Sequence, residues 1–166
     1  VLRLAATGPA VVYDVETKLW YIWTAFGDTD FPFVSAVRHN VLDEVYLQHE
    51  SNGKMYKLST STYADDGIEI TMDIFPPEFD GGLSKAKFLS KMYAIADQEA
   101  GSTLYLRVSD DNQQTWTKWR QFDLGHSRPL LDNCGTFTKR AFQFRHIDKT
   151  PCRLRWVELE LYPGVI

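Results

Sequence analysis

Carboxylates close together along the chain include Asp65 with Asp66, Asp110 with Asp111, and Glu158 with Glu160. Two acids facing each other across a cleft, one protonated and one ionised, form the arrangement that hydrolyses glycosidic bonds. The Asp65–Asp66 and Asp110–Asp111 pairs sit among turn residues, where side-chain oxygens serve the backbone. Glu158 and Glu160 share a face of an extended strand at about 6.5–7 Å, and a solvated polar face is the usual setting of such a pair. His39, His49, His126 and His146 occur singly, without the H-E-x-x-H or C-x-x-C company of a metal centre, and read as lone surface or interface histidines. No G-x-S-x-G, phosphate-loop or dinucleotide glycine run is present. No catalytic residue, metal or cofactor is expected, and the chain reads as a non-enzyme.

The stretch SDDNQQTW, residues 109–116, concentrates backbone-mimicking side chains in front of a large indole. It resembles the Asp-box, a β-hairpin corner of pattern S-x-D-x-G-x-T-W found in sialidase-like propellers and many other β proteins. Ser109, Asp111, Thr115 and Trp116 stand at the matching places, and Gln113 stands where the glycine belongs. Physically, the Ser and Asp side chains accept turn amide protons while the indole anchors the corner to the core. The expectation is a structural turn rather than a working site.

Around these residues the chain reads as all-β. Turn signals recur at short intervals between β-branched, aromatic or alternating runs. AVVYDVETKLWYIW gives two strands about a polar turn at Asp14–Lys18, the second carrying Trp20 and Trp23. EVYLQHESNGKMYKLS gives a hairpin in which Asn52-Gly53 suits a two-residue type I′ turn between Val45–His49 and Met55–Leu58. Further strands are expected at Ile68–Ile74, KAKFLSKMYAIA, TLYLRVS, TFTKRAFQFRHI and CRLRWVELELY. In the last, strict alternation puts Leu154, Trp156, Glu158 and Glu160 on one face and Arg153, Arg155, Val157 and Leu159 on the other. Neither face is purely apolar, as expected of an edge or interface strand. YDVETKLWYIW and SDDNQQTWTKW echo each other as a strand end, an acidic turn and W-x-x-W, as blades of a propeller would. The architecture expected is propeller-like hairpins over residues 1–62 and an antiparallel β-sandwich over 63–166, parted at the STST segment.

Composition bounds the function. The 166 residues are 44% hydrophobic, 24% charged and 14% aromatic, which suits an ordered globular protein. No window approaches the ~20 apolar residues of a membrane span, so no membrane anchor is expected. Eighteen Lys and Arg against twenty-two Asp and Glu give a net charge of -4 with the signs interspersed, which lacks the basic stripe that grips nucleic acid. Cys134 and Cys152 are two cysteines only, expected as reduced buried thiols, with one bridge between the last strands as the alternative. A start at VLRLAAT without Met reads as a fragment. The aromatic residues are expected mostly in the core, with Trp20, Trp23, Trp119 and Trp156 as candidate interface aromatics.

Taken in order, the landmarks resemble one family. Y-D-x-x-T-x-x-W at Tyr13–Trp20, F-P-F at Phe31–Phe33, G-K-M-Y-K-L, Y-A-D-D-G-I-E-I at Tyr63–Ile70, S-D-D-x-x-x-T-W, F-D-L-G at Phe122–Gly125 and a closing F-x-F strand are similar to the C-terminal part of the phage-stabilisation family. These are the packaged-DNA stabilisation, or tail hub and nozzle, proteins of short-tailed phages. The chain departs from the family at Gln113 and in the absence of an N-terminal propeller portion. The resemblance implies a virion structural protein that assembles in the host cytoplasm into a homo-oligomeric ring, a hexamer, below the portal and adaptor. It would help retain packaged DNA, let DNA pass through its lumen without sequence-specific binding, and dock tail fibre or spike proteins. Two other classes stand beside it: a glycan-binding or sialidase-like β domain, which the Asp-box and the aromatic load permit, and a glycosidase, for which a carboxylate of raised pKa is required.

Overall fold

A computed structural model of the chain describes residues 2–3, 8–16, 18–27, 30–82 and 84–164. Thr17, the threonine of the Tyr13–Trp20 motif, and most of the VLRLAAT start lie outside the described residues. Among the described residues the protein is all-β, built of small antiparallel sheets without a helix, and hence without a helix long and apolar enough to cross a membrane. The chain forms two compact units, residues 1–70 and 71–166.

The first unit opens with β1 (Leu2–Arg3), β2 (Ala10–Asp14) and β3 (Leu19–Trp23), which form one sheet in that order with Tyr13 opposite Trp20. A second sheet joins β4 (Phe33–His39), β5 (Glu44–His49) and β6 (Met55–Leu58), and β7 (Ala64–Asp65) pairs with β8 (Ile68–Glu69). The β5–β6 connection differs from the type I′ turn expected at Asn52-Gly53. His49 N–H donates to Lys54 O across four loop residues, and of the pair only Gly53 has positive φ. The reason is local capping: His49 Nδ1 accepts the amide protons of Ser51 and Asn52, and Asn52 Oδ1 accepts that of Lys54. Among the described residues the core here is small, consisting of Ala10, Ala25 and Phe31, with Trp23, Phe26, Phe33 and Leu47 packed against it. Phe26, Phe33, His49 and Tyr56 extend it as mutually tilted or edge-on rings 5.2–6.1 Å apart. The β7–β8 hairpin belongs to this unit, tied by Phe26 N–H to Asp65 Oδ2 at 3.2 Å and by Lys54 to Asp66.

The second unit contains the larger core. Its first sheet is organised on the ten-residue β10 (Lys87–Ala96), which pairs with β13 (Leu130–Asp132) and β14 (Thr136–Phe137) along one side and with β16 (Leu154–Pro163) along the other. Its second sheet has the order β12 (Arg120–Asp123), β11 (Thr103–Ser109), β15 (Ala141–His146), β9 (Met72–Ile74). Leu89, Met92 and Ala94 from one sheet and Leu104, Leu106, Phe122, Phe142 and Phe144 from the other form a single buried cluster. Each buried Leu, Met or Phe side chain contributes roughly 1.5–3 kcal/mol on burial, so this unit has the stronger hydrophobic foundation.

The final strand corrects the strict alternation expected of it. A bulge between Ile95 and Ala96 sets Ile95 opposite Trp156 but Ala96 opposite Leu154, so Arg155 is the extra residue. Leu154 therefore joins Val157, Leu159 and Leu161 against the core, and the inner face of β16 is wholly apolar. Trp156, Glu158, Glu160 and Tyr162 stand on the outer face.

Candidate interaction surfaces

The corner at residues 109–116 is held by its own side chains. Ser109, buried at the end of β11, donates its hydroxyl to Asp111 Oδ1 at 2.7 Å and accepts the Gln113 amide proton at 3.0 Å. Asp111 accepts the Thr115 amide proton at 2.9 Å and the Thr115 hydroxyl at 2.5 Å. These donors hold the Asp111 carboxyl down at about 2, the Thr115 hydroxyl contributing most. Asn112 and Gln113 have φ of 55° and 67°, so the glycine position of the Asp-box pattern is a left-handed one that Gln113 occupies against its preference.

Asp110, the neighbour that pairs with Asp111 in sequence, points elsewhere. It takes both Nε and Nη2 of Arg140 at 2.7 Å, and Arg140 is only 4% exposed. The same guanidinium donates to Cys134 O and lies 4.3 Å from the Phe137 ring centroid. The two acids thus serve two structural tasks: one closes a turn and the other neutralises a buried cation.

Trp116 does not enter the core. It lies half-buried outside the core cluster, 6.3 Å from Phe75 in an edge contact and with the Arg107 guanidinium 4.9 Å from its ring. This corrects the expectation that the indole anchors the corner to the core. The cause is strand parity: Leu104 and Leu106 face inward on β11, so Tyr105 and Arg107 face outward, and Trp116 returns over that outer side. Trp119 joins the same ladder, 4.6 Å from Arg107, 5.1 Å from Arg145 and edge-on to Tyr105. Gln143, only 1% exposed, accepts from Arg107 Nε at 2.6 Å and donates to Asp73 Oδ1 at 2.9 Å, while Arg145 holds Asp73 with two bonds. Arg145 first, then Gln143, keeps the Asp73 carboxyl below its ordinary range against the upward push of burial. Only Trp116 and Trp119 of this group were legible as candidates, since Asp73, Arg107, Gln143 and Arg145 meet through cross-strand registers.

The remaining candidate aromatics separate. Trp20 is 65% exposed with Tyr13 4.8 Å away, Trp23 is half-buried beside Phe31, and Trp156 is 53% exposed with its Nε1 donating to Glu158. The W-x-x-W echo also separates, because Trp20 and Trp23 lie within β3 whereas Trp116 and Trp119 precede β12.

The other acids are engaged as well. Glu158 pairs with Arg128, which with Trp156 lowers its pKa, and Glu160 meets Lys91 and the Tyr162 hydroxyl. Asp73, Asp111, Glu44 and Glu158 all shift downward, a direction that suits hydrogen-bond acceptors rather than proton donors. His146 is buried rather than at a surface, its nitrogens 3.0 Å from Thr103 O and Thr150 O. Cys134 and Cys152 are free thiols whose pKa burial raises. No cluster of three metal-ligating side chains occurs among the described residues.

A cleft of about 290 Å³ opens in the second unit. Ile74, Pro76 and Pro77 form one wall, Leu154, Val157 and Leu159 the other, and Met92, Phe142 and Phe144 the floor. Its lining is apolar throughout. No protein-family model matches the chain, and no curated protein matches it.

Proposed function

We propose that the protein is a structural subunit of a phage head-to-tail connector or tail, a hub or nozzle that forms a ring, helps retain packaged DNA and offers a docking surface to other tail proteins. In this proposal the first unit contributes propeller-like hairpins and the second an antiparallel sandwich. One observation carries the assembly role. Leu19, Trp20, Tyr21 and Ile22 are consecutive on β3, and all four are exposed, Ile22 at 71%. Val34, Val37, Val41 and Leu42 stand exposed in the same unit.

A run of three or four exposed apolar residues is unfavourable in a free soluble domain and marks a contact surface. Covering it returns roughly 25 cal/mol per Å² of apolar area. Ring assembly demands this, because each subunit must present two different complementary faces. A net charge of -4 lets DNA pass, since a basic lumen would hold phosphates through counterion release.

Light scattering and negative-stain imaging of the protein, alone and mixed with the portal complex of a short-tailed phage, test the proposal. A closed ring, or one that forms on the portal, is expected; a monomer indifferent to portal overturns it. Glycan binding is the second reading, favoured by the open Trp20–Tyr13 pair. Saturable binding on a glycan array, lost with Trp20→Ala, would put it first.

A further inference from the structure

The two sheets of the second unit meet differently along their two sides. On one side β12 lies against β13, with Arg120 Nη2 donating to Asp132 O at 2.6 Å. On the other side the sheets end in β9 and β16, and among the described residues no strand pairs with the outer edge of either. The apolar cleft lies between these two edges, with Ile74 on β9 and Val157 and Leu159 on β16 in its walls.

The edges are unequal. β9 has three residues and runs into Pro76-Pro77, a device that blunts pairing. β16 has ten residues and no proline before Pro163. In an antiparallel pair, successive residues turn their backbone groups alternately towards and away from the partner. Gly164 N–H donates to Ala86 O, and Ala94, opposite Val157, donates away from β16 to Pro129 O. Together these fix the phase: Tyr162, Glu160 and Glu158 bond to β10, while Val157, Leu159 and Leu161 direct N–H and C=O to the free edge. Two of these three, Val157 and Leu159, also line the cleft with their side chains, and Leu161 packs against the adjoining core.

We infer that this edge and cleft form a strand-acceptor site, which takes an extended segment of another protein with apolar side chains at alternating positions. The segment adds to β16 by backbone hydrogen bonds and drops every second side chain between β16 and β9. A small-molecule site fits less well: the volume lies at the bottom of the roughly 300–1,000 Å³ range for such ligands, and no convergent polar groups orient one. The inference stands independently of ring formation by the first unit.

Hydrogen exchange followed residue by residue tests it, with a ten-residue peptide alternating Val or Ile with Thr and Lys, and an isomer of the same composition with the alternation broken. The alternating peptide should slow exchange at the Val157, Leu159 and Leu161 amides at least tenfold, and the isomer should not. Val157→Pro removes one free-edge N–H without costing a bond to β10, a position where edge strands tolerate proline. It should abolish the protection while β10 amides stay protected. Should that variant not fold, Leu159→Ala, which empties part of the wall, should weaken peptide binding at least fivefold. Equal effects of the two peptides would overturn the inference. So would protection that rises with protein concentration alone, which would make a second copy the occupant, or displacement of an apolar dye from the cleft without any change at the three amides.

Discussion

At the scale of the residue, the 109–116 corner turns its acids into acceptors. Asp111 titrates at about 2 in the folded protein against 3.8 ordinarily, so its contribution to stability is complete above about pH 4 and is lost as pH falls towards 2. Thermal melts from pH 5 to 2 should show this acid slope in the wild type and a shallower one in Asp111→Asn. Gln113 holds a left-handed φ of 67°, and Gln113→Gly should therefore stabilise the second unit by about 0.5–1 kcal/mol in urea denaturation. Asp110→Ala would strip Arg140 of its carboxylate while leaving the guanidinium buried. We expect a loss of about 3 kcal/mol, the low end for such a change because Asp110 itself is partly solvated, measured by the same denaturation.

At the scale of the element, Trp116 illustrates what sequence could and could not supply. Its place in the Asp-box pattern was legible, since the pattern is local chemistry. Its side of the sheet was not, because that depends on which residues of β11 face inward. Being half-buried against Arg107 and Phe75, Trp116→Ala should cost about 1–2 kcal/mol in urea denaturation, not the ~3–5 kcal/mol of a core aromatic. Strand identity was legible wherever alternation was strong: KAKFLSKMYAIA is β10 and TLYLRVS is β11. Register was not. The bulge at Arg155 moves Leu154 to the inner face, and an irregularity of one residue leaves no mark in composition. The same limit hid the Arg107–Gln143–Asp73–Arg145 network, whose members are up to 72 residues apart. The parting of the chain, expected at STST, lies after Ile70, because the β7–β8 hairpin is hydrogen-bonded back to Phe26.

At the scale of the whole molecule, the two units differ in how they use apolar side chains. The second gathers them into one continuous cluster and leaves a cleft along its open side. Among its described residues the first has a core of three buried side chains and many large apolar groups in water, an imbalance that the proposed association would relieve. The measurement that tests this most directly is the native mass of the protein by sedimentation velocity, wild type against an Ile22→Glu, Val37→Glu double variant. Our account predicts a discrete assembly for the wild type and a monomer for the variant, with β10 and β11 amides equally protected in both. A wild type that stays monomeric at all concentrations and beside portal, or a variant that assembles unchanged, would contradict it.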